Sequence, residues 1–257
     1  MEILIRNNPE AGAATAAGVV VSMMRQRGKP VLGLATGNTP LKLYRELIRL
    51  HREEGLSFSN CTSFNLDEYV GLPPSDKHSY HYYMQSEFFD HIDISPKRTH
   101  LPDGMASDIR QECREYEGRI HDARGIDLQV LGIGSNGHIG FNEPTGSLAS
   151  RTWIKILSEQ TIRDNSLYFE DIAKVPKHVL TMGIATIMEA RQCLLLAFGV
   201  KKADAVRRMI EGPVSSLCPA SILQMHPRVT IVLDEEAAYL LTYGDHYKWV
   251  EQNKLDW

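Results

Sequence analysis

The sequence predicts an α/β fold: a single doubly wound, mostly parallel sheet with helices on both faces and a lid-like insertion. Three observations predict it. Short apolar runs without polar alternation recur along the chain, turn residues close them, and stretches with apolar residues at helical spacing lie between them. Strands buried on both faces read as continuous apolar runs, and strands that alternate with helices build parallel sheets. With 257 residues, 43% of them hydrophobic, one large core is within reach, so residues 1–257 are taken as one domain.

Taken in order, residues 2–5 form the first strand, and the Ala-rich stretch 9–25 makes an amphipathic helix. The run 31–35 is the second strand. It is closed by Thr36-Gly37-Asn38-Thr39 and followed by a helix over 40–48, with Thr39 as N-cap and Pro40 in the first helical position. The same pattern recurs at 63–66, 127–133, 194–198 (followed by a helix over 201–210) and 229–233. Two stretches break it. Residues 79–92 are aromatic-rich and expected to be helical, whereas 144–183 is polar and shows no clear strand. Because it follows a motif loop, 144–183 is a candidate lid, with an ordinary surface insertion as the competing reading.

The bulk composition excludes several classes. Net charge is −4, with 28 Lys and Arg against 32 Asp and Glu, and no basic run suited to a phosphate backbone, so nucleic acid is not an expected partner. Cys61, Cys113, Cys193 and Cys218 form no C-x-x-C pair, and neither a signal peptide nor a bilayer-length apolar span is visible. A reduced, cytoplasmic protein without a membrane partner is expected.

In open parallel sheets ligands bind at the carboxyl ends of the strands, which directs attention to four loops. Thr36-Gly37-Asn38-Thr39 offers backbone N–H groups and two hydroxyls at a helix N-terminus, a cradle for a phosphate monoester, although a plain capped turn has the same composition. It lacks the Gly-Lys-Ser/Thr ending of a triphosphate loop. Asn65-Leu66-Asp67-Glu68-Tyr69 sets two carboxylates where a strand emerges. One of them, shielded from water, could serve as a base beside a carbonyl or imine, or one could cap a turn while the other faces solvent. The loop Gly132-Ile133-Gly134-Ser135-Asn136-Gly137-His138-Ile139-Gly140-Phe141-Asn142-Glu143-Pro144 begins like a dinucleotide fingerprint. Gly140, Pro144 and Gly146 break the helix that such a fingerprint needs. What it offers instead is an imidazole, two amides and a carboxylate close together. Finally, Gly199-Val200-Lys201-Lys202-Ala203 places a lysine where it can reach a phosphate as a point charge. His78 and His81 are the closest histidine pair, with no obvious third ligand, so no metal is assigned.

Together, Asn65 to Leu72, Asn136 to Pro144, Leu34 to Pro40 and Ser150-Arg151-Thr152 closely resemble the glucosamine-6-phosphate deaminases, over nearly the whole chain. The resemblance implies an isomerising deamination in amino-sugar (N-acetylglucosamine) catabolism: glucosamine 6-phosphate becomes fructose 6-phosphate and ammonia. It implies that His138, assisted by Glu143 and Asn136, opens the pyranose ring, and that Asp67 moves a proton from C2 to C1. It also implies that Thr36, Gly37, Asn38, Thr39, Gly137 and Lys202 bind the substrate and its phosphate, with no organic cofactor and no metal. The expected partner is a small amino-sugar phosphate; monomer or homo-oligomer is left open.

Four positions depart from the pattern. Asn136 stands where some members have an aspartate and others an asparagine, so catalysis is still expected but with different electrostatic support of His138. Ile162 and Leu167 stand where family members commonly carry arginines, the second of which grips the phosphate; Arg163 or Lys202 are the candidates to compensate. Losing such a partner costs on the order of 2 kcal/mol unless it is replaced. Trp153 replaces an arginine of the activator pocket found in allosteric hexameric members, so weak or no activation by N-acetylglucosamine 6-phosphate is expected. The competing functions are the same chemistry on galactosamine 6-phosphate or another amino-sugar phosphate, a sugar lactonase of the same broader fold, and a non-enzymatic sugar-phosphate sensor. The Asn65 to Leu72 signature argues against the lactonase. The presence of Asp67, His138 and Glu143 without a preceding helix-turn-helix argues against the sensor.

Overall fold

The computed structural model describes residues 1–255; Asp256 and Trp257, included in the single-domain expectation, lie outside the described residues. The strands are β1 (Glu2–Arg6), β2 (Val31–Leu34), β3 (Thr62–Asn65), β4 (Asp67–Tyr69), β5 (Thr99–His100), β6 (Leu128–Leu131), β7 (Trp153–Ile156), β8 (His178–Thr181), β9 (Cys193–Ala197) and β10 (Val229–Asp234). The α-helices are α1 (Pro9–Gln26), α2 (Asn38–Glu54), α3 (Tyr80–Glu87), α4 (Ile109–Asp122), α5 (Glu159–Asn165), α6 (Ile184–Met188), α7 (Ala203–Ile210), α8 (Glu235–Ala238) and α9 (Gly244–Gln252).

Among the described residues, seven strands form one parallel sheet in the order β1-β10-β9-β6-β2-β3-β5. Its central strands are buried end to end, as their continuous apolar runs require. Each face carries its own core. On one, Leu32, Leu34, Leu128, Val130, Leu194 and Leu196 meet Ala16, Ala17 and Val20 of α1 and Leu43, Tyr44 and Leu47 of α2. On the other, Val31, Leu131, Leu195, Ile231 and Leu233 meet Tyr116 and Ile120 of α4 and Val206 and Met209 of α7. The sheet covered on both faces is therefore as expected, and α3 followed by the 3-10 turn Phe89–His91 confirms helix in 79–92.

Two expectations need correction. The helix after β2 begins at Asn38, with Gly37 as N-cap at φ 108°, so neither Thr39 nor Pro40 holds the position assigned to it. Proline only requires that its missing N–H fall within the unpaired first turn, and its place in the third helical position satisfies that equally well.

The second correction concerns 144–183, which does contain strands. Within it β7 and β8 pair antiparallel, and β8 pairs antiparallel with β4, making a second, three-stranded sheet in the order β4-β8-β7. Trp153 and Ile156, at the two ends of β7, are exposed, and Lys155 interrupts its apolar residues, which leaves no continuous apolar run to read. The base of this segment is fastened to α4. Arg151 pairs with Glu117, and the Thr152 N–H and the Thr186 hydroxyl both donate to Glu117 Oε1.

The segment closes where Gly183 lies against its start. A β-carbon there would fall 2.1 Å from the Ser150 carbonyl oxygen and 2.4 Å from the Arg151 carbonyl carbon. Backbone on both sides leaves no flexible atom to yield. Gly183→Ala should destabilise the protein by about 1–3 kcal/mol, read as a melting temperature lower by several degrees in a thermal scan.

Candidate functional site

β3 ends at Asn65, and the chain turns into β4 at Asp67. The adjacent carboxylates then separate, because successive strand residues face opposite ways. Glu68, fully buried, turns toward α3, where it accepts from the backbone N–H groups of Tyr80 (3.0 Å) and His81 (2.9 Å) and from His81 Nδ1 (2.8 Å). It anchors a helix N-terminus. Asp67 is only 5% exposed, and among the described residues nothing donates a hydrogen bond to its side chain. Burial, with Glu68 beside it, pushes its carboxyl well above the usual aspartate range.

The wall beside Asp67 is aromatic. Tyr69 and Tyr80 pack at 4.9 Å between ring centroids with their hydroxyls 3.4 Å apart, and Phe141 lies within 6.2 Å of both rings. The hydroxyl of the half-buried Tyr80 also lies beside the Thr36 side chain. This brings the first loop to the same wall.

β8 joins this strand to the histidine loop. Thr181 pairs with Asp67 through the backbone, and its hydroxyl accepts the Phe141 N–H at 3.0 Å. Met182 N–H donates to Leu66 O, and Met182 O accepts from the Asn142 amide. Gly140 lies so near Asp67 that a β-carbon on it would stand 3.6 Å from Asp67 Oδ2.

Within that loop Asn136 links Glu143 to His138. Its Nδ2 donates to Glu143 Oε2 (2.7 Å), while its Oδ1 meets the His138 N–H (3.1 Å) and Nδ1 (2.8 Å). A carboxylate only accepts and a backbone N–H only donates, which fixes the amide orientation. Oδ1 must then receive a proton from Nδ1, leaving Nε2 with its lone pair. Burial and the nearby Lys202 keep His138 below the usual imidazole pKa, against the pull of Glu143 and Asp164. The ring is thus neutral and basic at Nε2. It packs on Gly134, where a β-carbon would overlap it at 2.2–2.4 Å, so only glycine fits there.

The other predicted residues are divided. Gly137 donates to Gly134 O and accepts from Ala220, which shapes the loop. Lys202, half-buried in the turn before α7, feels Asp164 and has its ammonium pKa lowered by burial. Asn38 and Thr39 line an adjoining cleft of about 380 Å³ with Lys42, Gly199 and Asp234, apart from Asp67 and His138. Ile162 packs with Tyr69 and Phe141, and Leu167 is 87% exposed. Arg163 lies on the outside of α5 near Glu159 and Gln160, so it does not stand in for the missing arginines. His78 and His81 are taken by Asp76 and Glu68.

A model of the family described as glucosamine-6-phosphate isomerases/6-phosphogluconolactonase matches residues 9–232. The chain belongs to this family. Glucosamine-6-phosphate deaminases of Hahella chejuensis and Rhodococcus opacus are 49% and 50% identical to it, over 99% and 100% of this chain and 97% and 99% of their own. A solved structure of a monomeric glucosamine-6-phosphate deaminase matches with a TM-score of 0.92 at 48% identity, covering 93% of this chain and 100% of that one. The 6-phosphogluconolactonase of Trypanosoma brucei, 21% identical with a TM-score of 0.76, shares the fold.

For a glucosamine-6-phosphate isomerase-type site, the sequence reading missed Tyr69, Tyr80, Ser158, Thr161 and Thr181. The spacing Ser158-x-x-Thr161 was available as a helix N-cap signal, and Ser158 does cap α5 through the Thr161 N–H.

A carboxyl whose native pKa lies above its unfolded value binds more protons folded than unfolded. Stability therefore falls as pH rises from the ordinary aspartate range through the native value. Asp67→Asn removes that loss. Its melting temperature should exceed that of the wild type by a margin that widens from about pH 4 toward neutrality; a constant margin would mean that Asp67 is not held in this way.

Proposed function

We propose that this chain converts glucosamine 6-phosphate and water to fructose 6-phosphate and ammonia, as an aldose–ketose isomerase coupled to deamination. The observation that carries the reading is the pairing of two poised bases on one aromatic wall: the buried, unpaired Asp67 carboxylate and His138 with Nε2 held unprotonated. The names of the relatives at about half identity support it.

The steps follow from those two groups. His138 Nε2 takes the proton of the anomeric hydroxyl and delivers it to the ring oxygen as the C1–O5 bond breaks, giving the open-chain aldehyde by way of a transient imidazolium. The resulting imidazolium is stabilised through Asn136 by the Glu143 carboxylate. Asp67, ionised, takes the C2 proton to give an enolamine and returns it to C1, leaving a ketimine at C2. Water adds there and ammonia departs. A carboxyl with a raised pKa suits a group that must act as base and then as acid on neighbouring carbons. Thr36, Gly37, Asn38, Thr39 and Lys202 are assigned to the substrate and its phosphate, and Lys202, partly desolvated beside the loop, is the cation nearest His138 by its electrostatic influence. The segment 144–183 is assigned as the lid. A phosphorylated sugar does not cross a bilayer unaided, so the reaction is placed in the cytoplasm; among the described residues no helix is long and apolar enough to cross a membrane.

Purified protein should release ammonia and ketose phosphate in equal amounts from glucosamine 6-phosphate, and Asp67→Asn and His138→Gln should each lower kcat by about 10²–10⁴-fold. Turnover of galactosamine 6-phosphate alone would move the substrate to the epimer, a reading that the apolar Ile162 and the exposed Leu167 favour.

Trp153 is 43% exposed under the Arg110 guanidinium and, by the resemblance, stands where allosteric members carry an arginine of the activator pocket. Addition of N-acetylglucosamine 6-phosphate should leave the rate curve unchanged; a sigmoidal curve made hyperbolic by it would contradict this.

A further inference from the structure

We propose that Ser158 and Thr161 are positioning residues that hold the Glu143 carboxylate on Asn136 and off His138, so that the ring-opening base is set only while α5 lies on the site. The inference rests on the reading of His138 as that base.

Glu143 is gripped at both ends. Its Oε2 accepts from Asn136, and its Oε1 accepts from the Thr161 hydroxyl, the Ser158 hydroxyl (3.1 Å) and the Ser158 N–H (3.4 Å). Every donor to Oε1 comes from the first turn of α5 or its cap, and Thr161 is almost fully buried there. The rest of the helix is seated on the same machinery. Ile162 packs on Tyr69 and Phe141, Asp164 accepts from the Ser135 hydroxyl, and Asn165 donates to the Tyr69 hydroxyl at 2.8 Å. One short helix thus touches the strand that carries Asp67 and the loop that carries His138.

What these hydroxyls prevent is a direct pairing. His138 Nδ1 stands 3.7 Å from Glu143 Oε2, with the Asn136 oxygen between them as the bonded partner at 2.8 Å. A carboxylate stripped of its donors at Oε1 becomes more basic and turns to the nearest strong donor, the imidazole Nδ1–H. A contact ion pair favours the imidazolium, which occupies Nε2 with a proton and removes the base. The charged groups that act on His138 are Glu143 from its own loop, Lys202 from the turn before α7, and Asp164 from α5. A simple loosening of the helix would withdraw Asp164, which lowers the titration of His138, and admit water to the ring, which raises it because burial is the main cause of its low pKa. Release of Glu143 and loosening of the helix are therefore separated by whether α5 stays seated, read from the amide signals of Ile162 and Asn165 in the same spectra.

The test is NMR titration of the His138 ring nitrogens in ¹⁵N-labelled protein, with pH profiles of kcat/KM on glucosamine 6-phosphate. Thr161→Val keeps the buried volume and removes the hydroxyl; Ser158→Ala is the second variant should the first fail to fold; Thr161→Ser is the conservative rescue. The expected result is an upward shift of the His138 titration in the first two and a loss on the order of tenfold in kcat/KM on the acid side that closes at higher pH. Thr161→Ser should behave as wild type. An unmoved or lowered titration in folded Thr161→Val and Ser158→Ala overturns the proposal. Wild-type turnover in His138→Gln would instead remove the ring-opening reading beneath it, whatever the titration shows.

Discussion

The site depends on one backbone pairing, that of Asp67 with Thr181. At the carboxyl edge of the parallel sheet β3 stops, and the next residues have no neighbour in that sheet to satisfy their N–H and C=O groups. Buried peptide groups need partners, and β8 supplies them from more than a hundred residues away. The same strand end then holds the histidine loop through the Thr181 hydroxyl and Met182 O. Two loops that would otherwise hang independently over the sheet are thereby fixed to a common strut, which sets the proximity that proton transfer between neighbouring carbons requires.

Two local asymmetries then set these side chains apart from others of their type. Asp67 and Glu68 are chemically near-identical neighbours, yet one has four donors and the other, among the described residues, none. The satisfied carboxylate is structural, and the deprived one has a raised proton affinity. Asn136 works by a different asymmetry: its amide has one end that donates and one that accepts, so it transmits orientation from Glu143 to His138 without carrying charge itself. An aspartate at that position would give the imidazole a charged partner; with an uncharged amide there, burial holds the ring below the usual imidazole pKa.

Most of the main sheet could be read in the sequence because its strands are buried on both faces and leave unbroken apolar runs. The residues of the two long motifs could be read as well, since a carboxylate pair and an Asn-x-His loop declare their chemistry by type. The small sheet could not. β4 has only three residues, Asp67-Glu68-Tyr69, Lys155 interrupts β7, and β8 has two apolar residues between His178 and Thr181, so the apolar runs that mark strands are missing. Ser158 and Thr161 were hidden for a related reason: hydroxyls at a helix start look like capping residues, and Ser158 does cap, so nothing in the spacing reveals that both also reach back to Glu143. The shift of the α2 start by two residues follows from Gly37, at φ 108°, taking the cap role that the hydroxyl of Thr39 suggested.

The order of the parallel sheet carries a consequence for how the chain reaches this state. Among the described residues β1 pairs only with β10, residue 2 beside residue 230 and residue 6 beside residue 234. During synthesis from the amino end β1 emerges more than two hundred residues before β10, and until then its hydrogen-bonding edge has no strand partner. Pairings of such long sequence separation form slowly, and unpaired edges are where nascent chains associate with one another. α1, whose Ala16, Ala17 and Val20 join the same core as Leu4, is the cover that the first strand finds soonest.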